Sequence, residues 1–80
     1  MTKKEMKKIF MERIENLHRD YIHYWGEAFN TLENDEQYRA ISRRCAISAK
    51  EQITAYIKIM FVDFKLINKK EMSELMHLYI

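Results

Sequence analysis

The chain of 80 residues has room for one small domain, which excludes a multidomain enzyme. Hydrophobic residues make up 48% of the chain, a share typical of folded rather than disordered sequences. The formal net charge of +2 is too small to indicate a partner by itself. The single cysteine can neither form an internal disulfide nor complete a zinc site, so a reduced, cytoplasmic setting fits best. We expect neither a secretory leader nor a membrane span.

The first predicted helix spans about residues 3–32. Thr2 and Glu5 have the spacing of a capping box, in which side chains satisfy free backbone amides at the start of a helix. Gly26 lies inside the helix, which we expect to tolerate it at a cost of about 1 kcal/mol relative to Ala. Apolar residues follow one another at intervals of three and four, which traces one helical face. This stripe consists of Met6, Phe10, Ile14, Leu17, Tyr21, Trp25, Ala28 and Leu32.

A second helix is predicted over about residues 35–66. Asn34, with Gln37 three residues later, has the pattern of a second capping box. The spacing of the apolar residues again indicates a helix with one buried face. The predicted stripe consists of Tyr38, Ile41, Cys45, Ala49, Ile53, Tyr56, Met60, Phe64 and Ile67.

A third capping box, at Asn68 and Glu71, begins a short final helix over about residues 69–79. Its apolar positions are Met72, Leu75, Met76 and Tyr79. No segment alternates for long with the period of two that a strand requires. The sequence therefore predicts an all-α fold in a single domain over residues 1–80, namely a long antiparallel helical hairpin plus a short C-terminal helix.

The length of the two long helices adds a constraint. Helices of about 30 residues are each about 45 Å long, whereas a compact chain of this size has a radius of gyration near 12 Å. Either the first helix bends at Gly26 or the hairpin pairs with a second copy. We favour dimerisation into a helical bundle, which is a common arrangement of antiparallel hairpins.

Six large apolar residues fall outside the main stripes on a helical wheel of about 100° per residue. Such groups of apolar residues are typical of an interface. The alternative is that the wheel is rotated and that these residues belong to a broad monomer core. The candidate partner or dimer contacts are Met11, Ile22 and Phe29 in the first helix and Ile47, Ile57 and Phe61 in the second.

A basic face on the second helix is a second candidate surface. Clustered cations of this kind are what the neutralisation of phosphates requires. A charged stripe opposite an apolar one is also typical of any solvated helix, and no helix-turn-helix, zinc-finger or RNA-binding signature accompanies it. The candidate contacts to nucleic acid or to an acidic partner are Arg39, Arg43, Arg44, Lys50, Lys58 and Lys65.

Aromatic residues cluster near the middle of the first helix, at Tyr21, Tyr24 and Trp25. Tyr38 and Tyr56 are expected to face this cluster across the hairpin. Packing in the core with solvated hydroxyl groups is the favoured role. Stacking on bases, or anchoring of a partner, is the alternative.

The sequence has few patterns typical of a catalytic or metal-binding site, and each of them is incomplete. Glu15 with His18, and Glu74 with His77, have the spacing used in carboxylate-bridged metal bundles, but the further inward carboxylates are not in the sequence pattern. Cys45 falls in the apolar stripe, where burial as a small hydrophobic residue is its default role. We therefore expect no enzymatic activity, no metal and no cofactor.

The sequence favours a small interaction protein that regulates or inhibits a protein partner. Its Lys-, Ile- and Asn-rich composition and short length suggest a complete gene product of an AT-rich bacterium, its phage or a mobile element. The expected contact surface is the second helix's apolar group, bordered by Arg39, Arg43 and Lys50. A nucleic-acid-binding accessory protein is the alternative, and a scaffold that binds only itself is a third possibility. We expect no membrane and no small-molecule substrate.

Overall fold

The protein is a helical hairpin with a shorter third helix packed along one half of it. A computed structural model describes residues 1–30 and 36–80. Helix α1 spans Lys3–Asn30, α2 spans Glu36–Lys58 and α3 spans Lys69–Tyr79, and the described residues contain no strand. The predicted all-α hairpin with a short C-terminal helix is confirmed.

Side-chain caps define the start of two of the helices. The Thr2 hydroxyl accepts a hydrogen bond from the Glu5 amide at 3.2 Å and donates one to the Glu5 carboxylate at 3.2 Å. At α3, Asn68 Oδ1 accepts from the Glu71 amide at 2.8 Å, and Glu71 Oε1 accepts from the Asn68 amide at 3.2 Å. This reciprocal pair confirms the predicted capping box at α3. The predicted cap at Asn34 lies outside the described residues.

Helix α2 ends at Lys58, earlier than predicted, because a π-helical turn at Ile59–Asp63 follows it. Lys65 then adopts a left-handed backbone conformation with φ of 51°. The Leu66 amide donates to the Met60 carbonyl at 2.7 Å, which closes this end and turns the chain towards α3. Lys65 therefore lies beyond α2, and its predicted place on the basic face of that helix is wrong.

The hydrophobic core lies where the three helices meet. Partly buried side chains of all three helices surround it, among them Phe10 of α1, Tyr56 of α2 and Met76 of α3. Ile67, in the connection to α3, also points into it. The buried centre consists of Ile14, Ile53, Ile57, Met60 and Ile67.

Helix α3 runs parallel to α1 and covers only its first half. Near the start of α3, Glu71 Oε2 accepts a hydrogen bond from Lys7 Nζ at 2.8 Å. Near its end, the Tyr79 ring meets the His18 ring edge-on, with 5.1 Å between centroids. The 11 residues of α3 rise about 16 Å, against about 42 Å for the 28 residues of α1. The second half of the hairpin therefore has no third helix over it among the described residues.

In this uncovered half, α1 and α2 bury small side chains. Small residues allow two helix backbones to approach closely, so the larger neighbours remain on the flanks. The small buried residues are Ala28, Ser42, Ala46 and Ala49. The large exposed ones are Ile22, Tyr24, Trp25, Phe29, Tyr38, Ile41 and Ile47.

The buried face of α2 is rotated from the predicted one. Ile57, which the helical wheel places outside the core stripe, is completely buried, whereas Ile41 of the predicted stripe is exposed. Ile57 therefore offers no surface to a partner, and its assignment to the interface is wrong. Met11 and Phe61 are partly buried against the core. For these three residues the alternative of a broad monomer core describes the structure. The observed stripe is Ser42, Ala46, Ala49, Ile53 and Ile57.

The molecule is elongated, with extents of 48 × 23 × 16 Å and a radius of gyration of 15.0 Å. The latter exceeds the value of about 12 Å expected of a compact chain of this size. Helix α1 continues through Gly26 as an uninterrupted α-helix. The long helices thus extend beyond the core instead of folding back into a globule, while dimerisation stays a prediction.

The rotation of α2 can be tested with two matched substitutions. Ile57→Val should lower the free energy of unfolding by about 0.5–1.5 kcal/mol, because it removes a buried methyl group. Ile47→Val makes the same change at an exposed site of the same helix and should alter it by less than about 0.5 kcal/mol. Urea unfolding followed by circular dichroism measures both values. Equal losses would contradict the assigned rotation.

The pairing of α3 with α1 should make stability depend on pH. The Lys7 ammonium and the Asn68 amide, which hydrogen-bond the carboxylate, lower the pKa of Glu71 below its ordinary value. Because the folded-state pKa is the lower one, this stabilisation is complete above the ordinary glutamate pKa of about 4.3. It is lost as the pH falls through the folded-state pKa. Glu71→Gln should therefore lower Tm more at about pH 7 than at about pH 3.

The control for this experiment is Glu12→Gln, which removes one charge from an exposed site on α1. It separates the loss of the Lys7–Glu71 pair from the general effect of net charge. A Tm difference between wild type and Glu71→Gln that is the same at both pH values would contradict the contribution of the ionised Glu71 carboxylate.

Candidate partner-binding groove

A row of aromatic side chains runs along α1 from the end of α3 into the uncovered half. Tyr21 stacks on Trp25 with 6.2 Å between ring centroids, and Trp25 meets Phe29 edge-on at 4.9 Å. His18 stacks against Tyr21 at 6.3 Å and also contacts Tyr79 of α3. Residues three or four apart share one helical face. We call His18, Tyr21, Trp25 and Phe29 the aromatic row.

Tyr21 and Trp25 of the aromatic row form one wall of a groove of about 380 Å³, the open groove. Ile47, Lys50 and Thr54 of α2 form the opposite wall, at the spacing of one helical face. Ile80, which directly follows α3, lines one end, and Glu51 is the one acidic side chain among the described lining residues. The open groove thus begins where α3 ends.

Cations border the α2 wall. Lys50 Nζ lies 5.4 Å from the centroid of the Tyr21 ring, a cation–π contact that joins the two walls. Arg43 is exposed and lies one turn before Ile47 on the same face of α2, and Arg39 lies one turn earlier. Basic side chains therefore lie next to an apolar surface on this wall.

The apolar side chains of this half are accessible to solvent. Trp25 is 37% exposed, Ile47 53% and Phe29 66%. Ile22 is also exposed and lies two turns before Phe29 on the same flank of α1. Grouped exposure of large apolar side chains marks interaction surfaces. Three of the six predicted interface residues, Ile22, Phe29 and Ile47, are thus located in the uncovered half.

The sequence pattern does not identify the aromatic row as a surface. It assigns Tyr21 and Trp25 to the core stripe and places Tyr56 opposite them. Tyr56 instead packs edge-on against Phe10, with 5.7 Å between centroids, at the other end of the molecule. The signal that could have found the row is the spacing of Tyr21, Trp25 and Phe29, which aligns three rings on one flank.

The six predicted basic residues are distributed over different parts of the surface. Three of them, named above, border the open groove. Lys58 lies one turn after Thr54 on the same face of α2. Arg44 lines a groove on the opposite side of the hairpin, and Lys65 lies beyond α2 in the connection to α3. The structure therefore separates Arg44 and Lys65 from the other four predicted cations.

The groove on the opposite side has a volume of about 410 Å³ and a more polar lining. Cys45 lies there, half-buried. The other lining residues are Leu17, Asp20, Tyr24, Arg44, Ser48, Ala49 and Gln52. Without a row of large apolar side chains, this side offers less to an apolar partner than the open groove.

Among residues 1–30 and 36–80, no three His, Cys, Asp or Glu side chains come together as a metal-binding group. His18 of the Glu15–His18 pair is instead part of the aromatic row. Within the same ranges, no helix combines the length and the apolar character needed to cross a membrane.

No protein-family model, curated protein or solved structure matches the chain. The open groove is therefore interpreted from its own geometry, burial and charge.

His18 joins the aromatic row to α3, and its Nδ1 atom is buried without a hydrogen bond to any described residue. Leaving a buried polar atom unpaired costs about 1–3 kcal/mol. His18→Phe should therefore raise the free energy of unfolding by about 1 kcal/mol. His23→Phe, at an exposed site of the same helix, is the control and should have little effect. A loss of stability in His18→Phe would show that the imidazole nitrogens hold α3 in place.

Proposed function

We propose that the chain is a non-enzymatic interaction protein that binds a protein partner in the open groove. By covering a surface of that partner, it regulates or inhibits it. The observation that supports this proposal is the exposure of Trp25 and Phe29 of the aromatic row beside Ile47, where three-helix packing stops.

The composition of the groove is that of a binding surface with strong anchors. Trp, Tyr and Arg dominate the residues that carry binding energy at protein interfaces. Complete burial of one large apolar side chain contributes about 1.5–3 kcal/mol, and micromolar affinity corresponds to about 8 kcal/mol. Three of these side chains are partly exposed, namely Trp25, Phe29 and Ile47, so burying them against a partner contributes free energy on this scale. This contribution offsets the entropy lost on association.

Nucleic-acid binding has weaker support. A duplex is held by cations that follow its phosphate backbone. Arg44 and Lys65 lie away from the other predicted cations, and those at the open groove border an apolar surface that phosphates cannot use. Binding that falls steeply with salt is the property that distinguishes a nucleic-acid ligand from an apolar protein contact.

Two matched substitutions on α2 test the proposal. Ile47 and Ile41 are 53% and 56% exposed and lie on opposite flanks of the helix. The tagged chain is incubated with a lysate of the host cell, with and without nuclease, and washed at high salt. Wild type and Ile41→Asp should retain the same protein after nuclease treatment. Ile47→Asp should retain at least about tenfold less, because it places a carboxylate in an apolar contact.

Three outcomes would contradict the proposal. Equal retention by Ile47→Asp would show that the partner binds elsewhere on the chain. Material that disappears on nuclease treatment would assign the surface to nucleic acid. An empty eluate, together with a Tm that rises with protein concentration, would favour a scaffold that associates with itself.

A further inference from the structure

The open groove continues the groove between α1 and α2 against which α3 packs. Tyr79 of α3 contacts His18, the first member of the aromatic row, and Ile80 already lines the open groove. Beyond this point the aromatic row keeps the three- and four-residue spacing of a helix-packing face. In their uncovered half, α1 and α2 therefore present the kind of two-helix groove that a helix fills in their covered half.

The length of the uncovered half matches that of a short helix. Between Tyr21 and Asn30, α1 rises about 14 Å. The 11 residues of α3 rise about 16 Å. A helix of about three turns thus fits the open groove. Apolar residues at i, i+3 or i+4, and i+7 on such a helix would face Trp25, Phe29 and Ile47.

The charge of the groove favours an acidic occupant. Lys50 lines its α2 wall and reaches across to the Tyr21 ring, and the exposed Arg43 lies one turn before Ile47 on the same face of α2. Glu51 is the single acidic side chain among the described lining residues. Acidic side chains on either side of an apolar stripe would meet these cations, and guanidinium groups bind carboxylates in a bidentate manner. Complementary charge steers association and selects among partners.

A second copy of this chain is a less favourable occupant of the open groove than an acidic partner. In a two-fold symmetric dimer, the same surface patch faces itself. Two copies of Arg43 and Lys50 would then share one interface with only two Glu51 side chains, and this excess of positive charge disfavours association. The charge distribution thus favours a different protein over self-association at this surface.

We infer that the occupant of the open groove is an acidic amphipathic helix of a partner protein. It extends the row that α3 begins, with its apolar face on the aromatic row and its carboxylates beside the cations of α2. This inference rests on the proposed function and adds the chemistry of the partner to it.

Two synthetic helical peptides of about four turns test the inference. Both carry Leu at the groove-facing positions and Ala elsewhere, and they differ only in having Glu or Lys at the flanking positions. Trp25 is the single tryptophan of the chain, so its fluorescence reports directly on the groove. Titration of the full chain with the acidic peptide should shift the emission to the blue. Its affinity should exceed that of the basic peptide by at least about tenfold.

Arg43 and Arg44 provide a matched pair of charge reversals. Arg43 is on the face of α2 that borders the open groove, whereas Arg44 lines the groove on the opposite side. Arg43→Glu should weaken binding of the acidic peptide by about tenfold and strengthen binding of the basic one. Arg44→Glu, with the same change in net charge, should alter either affinity by less than about twofold.

The outcomes separate this inference from the proposed function. Equal affinity for the two peptides would overturn the acidic character of the occupant. No response to either peptide, while a lysate protein still depends on Ile47, would overturn the helical occupant and leave the proposed function standing. If neither peptide binds and no lysate protein depends on Ile47, both the inference and the proposed function are overturned. A concentration-dependent dimer that Ile47→Asp dissociates in sedimentation would instead assign the groove to a second copy.

Discussion

The packing of α3 against one half of the hairpin determines the rest of the structure. Two helices alone cannot bury large side chains on both flanks, because a core needs another layer to close it. Ile14 and Ile57 are completely buried where α3 lies over the hairpin, whereas Phe29 and Ile47 are exposed where it does not. The boundary between core and accessible surface thus coincides with the end of α3, and beyond it α1 and α2 bury small side chains instead of large ones.

The uncovered half is held together in a different way from the core. Ala28, Ala46 and Ala49 are buried there, and small side chains remove little apolar area from water, so each contributes less than a buried Ile. A ligand that binds only the folded form stabilises it by mass action. Occupation of the open groove therefore supplies the third layer that this half lacks, and recognition of a partner and local stability become linked in the same residues.

Local signals made much of the fold predictable from the sequence. Asn68 and Glu71 form a capping box because the two residues that satisfy each other's amides are three apart in the chain. The rotation of α2 was not predictable in this way. Periodicity gives weight to large residues such as Ile41, whereas the helix contact uses small ones such as Ala46. Lys65 adopts a left-handed backbone conformation although it is not a glycine, so the residue type does not indicate the turn at this position.

The candidate site was predictable only in part, and the reason lies in how far α3 reaches. The spacing of Arg43 and Ile47 places them on one face of α2, but Trp25 was assigned to the core because the apolar stripe of α1 is continuous through it. The stripe alone does not tell which of its residues another helix covers. That depends on an 11-residue α3 lying beside a 28-residue α1, which is a tertiary fact. The first part of one apolar stripe packs in the core, whereas Trp25, which continues the stripe at the same spacing, is part of the surface available to a partner.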